Sequence, residues 1–144
     1  MNTALQKQSM SHRHAAPTIL CIDHDPDVSG AIERRLSRYD VHFVRAFHGM
    51  HGYAEALTHK PDVIVMDLRM PNGDGATILE CLRRNRQTAA IPVIVLTGMR
   101  DRNLKHRLLN LGADEFLYKP LRLDDLTRKL GRFVELHEHE PETA

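Results

Sequence analysis

The sequence has no excess of charge of either sign. Lysine and arginine number 20 against 19 aspartates and glutamates, a net charge of +1 over 144 residues. Such a balance gives no electrostatic footprint for nucleic acid or an anionic membrane surface. Long apolar runs are also missing. The longest span a few residues, where a bilayer-crossing helix needs about 20. No apolar core follows the first methionine, so the start does not read as a secretory leader. A cytoplasmic location is the expectation. Cysteine is scarce, at two residues. Cys21 falls in an apolar run and Cys81 on a helix, so both are expected as reduced packing residues rather than a bridge. There is no internal repeat.

What is present suffices for one core. Apolar residues make up 42% of the chain, at a length that suits a single domain. They come in short blocks: Thr18-Ile19-Leu20-Cys21-Ile22, Val63-Ile64-Val65-Met66, Val93-Ile94-Val95-Leu96 and Phe116-Leu117-Tyr118. Blocks rich in Val and Ile, without polar alternation, suit strands buried on both faces of a parallel sheet. Val41–Phe47 is a more polar strand, expected at a sheet edge. Helical stripes lie between them: Val28, Ile32 and Leu36; Met50, Ala54 and Leu57; Ile78, Leu79 and Leu82; Leu104, Leu108 and Leu111; Leu123, Leu126, Leu130 and Phe133. Asp25 and Pro26 suit the N-cap and first turn of the first helix. Pro61 stops the second, and Gly112 closes the fourth. Five strands alternating with five helices imply right-handed crossovers and a sheet covered on both faces. Residues 1–16, polar and aperiodic, read as a disordered arm, 17–137 as the folded domain and 138–144 as a flexible tail. His12 and His14 in the arm are two ligands, and two do not make a metal site.

Four of the five strands end in a polar side chain: Asp23, Asp67, Thr97 and Lys119. In open parallel sheets, ligands bind beyond the carboxyl ends of the strands. If the four runs are neighbours, two carboxylates, a hydroxyl and an ammonium converge on one crevice. Paired carboxylates repel unless a cation lies between them. Magnesium suits that place, held by one or two carboxylates plus phosphate oxygens. An aspartate beside it can attack phosphorus and form an aspartyl phosphate, a lysine can pair with phosphate, and a threonine hydroxyl can donate to it. Taken singly, each residue has a plain reading as a helix cap or a solvated charge. Their joint placement points to a phosphate-handling site.

These segments resemble the receiver domain of two-component response regulators, over roughly residues 17–136. Ile19-Leu20-Cys21-Ile22-Asp23-His24-Asp25-Pro26-Asp27 is similar to that family's first strand and acidic corner. Pro61-Asp62-Val63-Ile64-Val65-Met66-Asp67-Leu68-Arg69-Met70-Pro71, with Gly73-Asp74-Gly75, is similar to its phosphoacceptor strand and loop. Ile91-Pro92-Val93-Ile94-Val95-Leu96-Thr97-Gly98 is similar to its hydroxyl-bearing strand, and Phe116-Leu117-Tyr118-Lys119-Pro120 to its Lys-Pro ending. The resemblance implies a flavodoxin-like (βα)5 fold, an α/β doubly wound parallel sheet of order 2-1-3-4-5. It implies Asp67 as phosphoacceptor. Asp23, Asp67 and the Arg69 backbone carbonyl would be magnesium ligands, and Thr97 and Lys119 acyl-phosphate contacts. Phe116 would be the aromatic that changes rotamer with Thr97, and Lys119-Pro120 a cis peptide. The chain would catalyse its own phosphoryl transfer without being a turnover enzyme. Its donor would be a sensor histidine kinase or phosphotransfer protein. Its output would be a downstream protein target, or a homodimer formed through the last two helices and the strand between them, with no direct contact to nucleic acid or membrane.

One position departs from the pattern. The family normally has two adjacent acids after the first strand, and here the second is His24, at the place of a direct metal ligand. Imidazole is a poor ligand for magnesium and a good one for zinc, copper or nickel. Three readings follow: a working receiver with weakened magnesium affinity, a degenerate receiver acting as a phosphorylation-independent interaction module, or a site tuned to a transition metal. Asp25 is expected to cap the helix rather than replace the ligand. The stretch Arg100-Asp101-Arg102-Asn103-Leu104-Lys105-His106-Arg107 reads as a solvated helix face, because acids lie nearby and no aromatic residues are interleaved. The histidines at 42, 48, 51 and 59 read as surface residues.

Overall fold

The computed structural model describes residues 15–140. Five strands, β1 (Thr18–Ile22), β2 (His42–Ala46), β3 (Val63–Asp67), β4 (Val93–Thr97) and β5 (Glu115–Tyr118), alternate with five helices. The helices are α1 (Pro26–Leu36), α2 (Gly49–His59), α3 (Gly75–Arg84), α4 (Arg102–Asn110) and α5 (Leu123–Leu130). The sheet is wholly parallel, in the order β2-β1-β3-β4-β5. The alternation predicts a parallel sheet covered on both faces, and this strand order is the flavodoxin-like one that the resemblance implies.

The pleat divides the core into two layers. Leu20, Ile22, Ile64, Met66, Val93 and Val95 face one side, where Ala56, Ile78, Leu79, Leu82 and Leu108 of α2, α3 and α4 cover them. Ile19, Cys21, Val63, Val65, Ile94 and Leu96 face the other, against Ile32, Leu36, Leu126 and Leu130 of α1 and α5. Every residue of β3 and β4 is buried, which is why those runs show no alternation. β2 lies at the edge with one strand neighbour, and its sequence is correspondingly more polar.

Helix ends follow their local chemistry. Asp25 caps α1, accepting from the Asp27 amide at 2.9 Å, and Asp74 caps α3, accepting from Thr77. His48 caps α2 through Nδ1, which accepts from the His51 amide. Gly112 ends the α4 turn at φ 107°, a conformation costly for any residue with a Cβ.

The α2 face differs from the expected one. Met50 is 55% exposed and Ala54 is exposed, whereas Gly49, Gly52 and Ala56 are buried. Small residues carry this contact because the helix lies almost on the sheet. A Cβ on Gly52 would stand 2.4 Å from Ile22 Cδ1, and one on Gly49 would stand 2.1 Å from the Gly73 carbonyl oxygen. Gly49 thereby brings the start of α2 against the β3–α3 loop, and Met50 N donates to Asn72 O at 3.1 Å. α5 stops at Leu130, short of Phe133, and Phe133, Val134 and Leu136 pack on as a non-helical extension. Beyond them the backbone bonds to the α1–β2 connection: Asp40 N donates to His137 O, His139 N donates to Arg38 O, and Tyr39 bridges Glu138 antiparallel. Residues 138 and 139, assigned by sequence to the tail, are therefore tied down. The expected arm lies outside the described residues up to position 14, as do residues 141–144.

Candidate functional site

The parallel register brings the carboxyl ends of β1, β3, β4 and β5 to one rim. Asp23 follows β1, Asp67 ends β3, Thr97 ends β4 and Lys119 follows β5. Asp67 sits beside Leu96, and Thr97 beside Tyr118. A cleft of about 370 Å³ opens there, lined by His24, Asp67, Leu68, Arg69, Thr97, Gly98, Met99 and Lys119.

Lys119 Nζ lies 3.3 Å from Asp23 Oδ2 and 3.4 Å from Asp67 Oδ2. The cis peptide between Lys119 and Pro120 is present, and Lys119 N donates to Thr97 O at 2.9 Å. Asp23 is wholly buried and Asp67 nearly so. The remaining carboxylate oxygens accept from the backbone, Asp23 Oδ1 from Asp25 N at 2.9 Å and Asp67 Oδ1 from Arg69 N at 3.4 Å. Thr97 Oγ1 accepts from Met99 N at 3.0 Å, leaving its own proton free to be given to a ligand. Phe116, 4% exposed, lies in the α2–α3–α4 core layer with Lys105 Nζ 5.7 Å from its ring centre.

Burial raises the Asp23 carboxyl above its ordinary pKa. The Asp25 amide opposes the shift, the Asp67 charge adds to it, and Lys119 opposes it. Burial works against the Lys119 charge as well, but Asp23 and Asp67 more than offset it and hold the ammonium above its ordinary range. Burial pushes the Cys21 thiol up, with the Asp23 charge adding to it. Cys21 is thus an inert core residue, and neither cysteine is bonded.

His24 projects at the mouth, its side chain 51% exposed, with Nδ1 3.2 Å from Asp67 Oδ2 and 3.8 Å from Asp23 Oδ1. Asp23, His24 and Asp67 each offer one ligand atom within 4.8 Å of the others, the one such group among the described residues. Two carboxylates at this spacing fit a dication. Sequence reasoning named His24, Asp67, Thr97, Lys119 and the Arg69 carbonyl and missed Leu68, Gly98 and the Met99 side chain, whose Sδ lies 3.2 Å from an Arg69 guanidinium nitrogen. None of the three carries an ionisable or hydroxyl group that would signal a site.

Comparison with known proteins gives a consistent result. The family model of the response regulator receiver domain matches residues 19–131. The DNA-binding dual master transcriptional regulator RpaA of Synechocystis is 35% identical over 130 residues, 89% of this chain and 53% of its own. The KDP operon transcriptional regulatory protein KdpE of Escherichia coli is 42% identical over 93 residues, 65% of this chain and 39% of its own. The chain thus spans about half, or less, of the length of these relatives. Among solved structures, the receiver domain of the Francisella response regulator 1452 superposes with a TM-score of 0.75 at 30% identity, covering 81% of this chain and 95% of that one. The receiver domain of the sensor histidine kinase PA1611 from Pseudomonas aeruginosa, solved with a magnesium ion coordinated in its active-site cleft, gives 0.72 at 26%, covering 83% and 98%. No helix among the described residues is long and apolar enough to cross a membrane. With this fold and a matching segment that contains all four rim residues, the chain belongs to the family of response regulator receiver domains.

Proposed function

We propose that Asp67 accepts a phosphoryl group from a phosphohistidine of a sensor kinase or phosphotransfer protein. The observation that carries this reading is the position of Lys119 Nζ, 3.3 and 3.4 Å from the two buried carboxylates. In the step, an Asp67 carboxylate oxygen forms a bond to phosphorus. The bond from phosphorus to the donor's imidazole nitrogen breaks, and the electron pair stays on that nitrogen. Phosphoryl transfer demands positioning and charge neutralisation above all. Lys119 supplies a fixed positive charge at the attacking oxygen, and Thr97 offers its hydroxyl proton to a phosphate oxygen. Asp23, Asp67 and the Arg69 carbonyl would hold a divalent cation, which when bound neutralises charge on the transferred group. The domain promotes its own modification: the donor leaves dephosphorylated, and the phosphoryl group stays on Asp67.

The modification is read out through Thr97 and Phe116. Drawing the Thr97 hydroxyl toward a phosphate alters the packing above Phe116, which biases the face made by α4, β5 and α5. A groove on that face is rimmed by Arg100, Arg122, Arg128 and Lys129, with Asp125 as the acid among its lining residues. Arg128 and Lys129 are already paired with Asp125 and Glu115, so the unpaired excess is small and a downstream protein or a second copy of complementary charge suits this face. Incubation with acetyl phosphate and magnesium, followed by intact-mass measurement, tests the central step. One phosphate is expected on the native chain and none on Asp67→Asn. Absence of any gain, with every divalent cation tried, would leave an interaction module that works without phosphate.

A further inference from the structure

His24 gives the cleft a donor set unlike one of oxygens alone. We infer that this site prefers a transition-metal dication of the cobalt-to-zinc series over magnesium, with His24 Nδ1 as the ligand that decides the preference. The inference rests on the phosphoacceptor reading above and names the cation that serves the same site.

Three observations carry it. First, His24 Nδ1 already faces the carboxylates, hydrogen-bonded to Asp67 Oδ2 at 3.2 Å and 3.8 Å from Asp23 Oδ1, so a shift of the ring proton to Nε2 frees Nδ1 as a ligand with the ring already turned to the site. Those separations are close to the ligand-to-ligand spacing around one small ion, and the three donor atoms form a single group. Second, the charge balance is low for a hard ion. Asp23 and Asp67 supply two negative charges, and Lys119 sits within 3.4 Å of both. One net negative charge remains to attract a dication, where a third acid would have left two. Magnesium binds almost wholly through charge and gives up its waters reluctantly, so it loses most from this exchange. Third, a neutral imidazole nitrogen is a good donor to cobalt, nickel, copper and zinc, and a weak one to magnesium, which like manganese favours oxygen. The same substitution that removes attraction for one class of ion adds a bond for the other. The flanking Asp25 does not restore the missing acid, because its Oδ1 accepts from the Asp27 amide at the start of α1.

Cobalt is a suitable probe, since its visible absorption changes when nitrogen enters the coordination shell. The chain carries ten histidines, so the signal of this site is defined as the part lost in His24→Ala. Native protein is titrated with cobalt and then challenged with magnesium, and His24→Asp is treated in the same way. In the native chain, millimolar magnesium is expected to leave the His24-dependent band in place. In His24→Asp the ratio of cobalt to magnesium affinity is expected to fall by about tenfold or more. An unchanged spectrum in His24→Ala, or an equal ratio in His24→Asp, would overturn the inference. Acetyl phosphate labelling of the same proteins separates the two claims. A shifted ratio without labelling by any cation leaves the selectivity standing and removes the phosphoacceptor reading. Magnesium-dependent labelling of the native protein together with an equal cobalt-to-magnesium ratio in His24→Asp does the reverse.

Discussion

Met66 and Asp67 are consecutive residues of one strand, buried to almost the same degree, and burial has opposite consequences for them. Met66 exchanges water for core contacts and stabilises the sheet. Asp67 keeps an ionisable group away from water, beside a second one, with one ammonium between them. The interior of this sheet is arranged for stability, and its carboxyl rim gives up stability to hold the charges that the proposed transfer would use. Relieving strain at the rim should therefore stabilise the fold while removing its chemistry. Trimming the interior should do the opposite.

The sharpest contrast is expected from Met66→Ala. It opens a void in the α2–α3–α4 layer and should lower unfolding free energy by about 2–5 kcal/mol. Urea denaturation followed by far-ultraviolet circular dichroism will show this, tryptophan fluorescence being ruled out by the absence of tryptophan. Next in size is Asp23→Asn. The folded carboxyl has a raised pKa, so the folded state holds its proton more tightly than the unfolded chain does. Its ionisation costs stability as pH rises through the folded value, and the cost persists at neutral pH. Asparagine should thus raise stability by about 1 kcal/mol at neutral pH and by nothing in strong acid. A denaturation series across pH that shows a loss at neutral pH would break the comparison.

The smallest effect should come from Glu115, an acid outside the rim. Burial alone would raise its carboxyl. The Phe116 amide, Lys129 at 3.0 Å and Arg132 outweigh it and hold the group below its ordinary value. Such a group adds stability above the unfolded pKa, and the gain is lost as pH falls through the folded one. Glu115→Gln should cost about 0.5–1 kcal/mol at neutral pH, and the difference should vanish in acid. Thermal melts at two pH values suffice. Opposite pH trends for Asp23→Asn and Glu115→Gln would sharpen the distinction between a charge kept for chemistry and one kept for structure.

The sequence was legible where one physical rule acted alone. β1, β3 and β4 are covered on both faces, so their unbroken apolar runs announced them. The rim residues could be found because each follows such a run, and parallel pairing then brings them together. Where two rules competed, the reading failed. The spacing of Met50, Ala54 and Leu57 points to a helical stripe, yet Met50 and Ala54 are exposed in α2. Close approach to Ile22 instead selects glycine and alanine at positions 49, 52 and 56. The segment after Leu130 has helical apolar spacing, yet the regular helix stops there and Phe133 and Val134 pack on through turns whose amides bond back to Leu130. The direction of the His24 ring could not be read from sequence, since a residue type does not fix a rotamer.

The bonds at Arg38, Asp40, His137 and His139 have a practical consequence. They fasten the last described segment at the pole where the strands begin, and Pro17, which accepts from His42 N, lies at that pole too. A dye, resin or sensor chip attached near either place would hold the domain from behind, leaving its mouth open to visiting donors. Immobilised measurements of metal uptake and phosphate loading should therefore agree with those made in free solution.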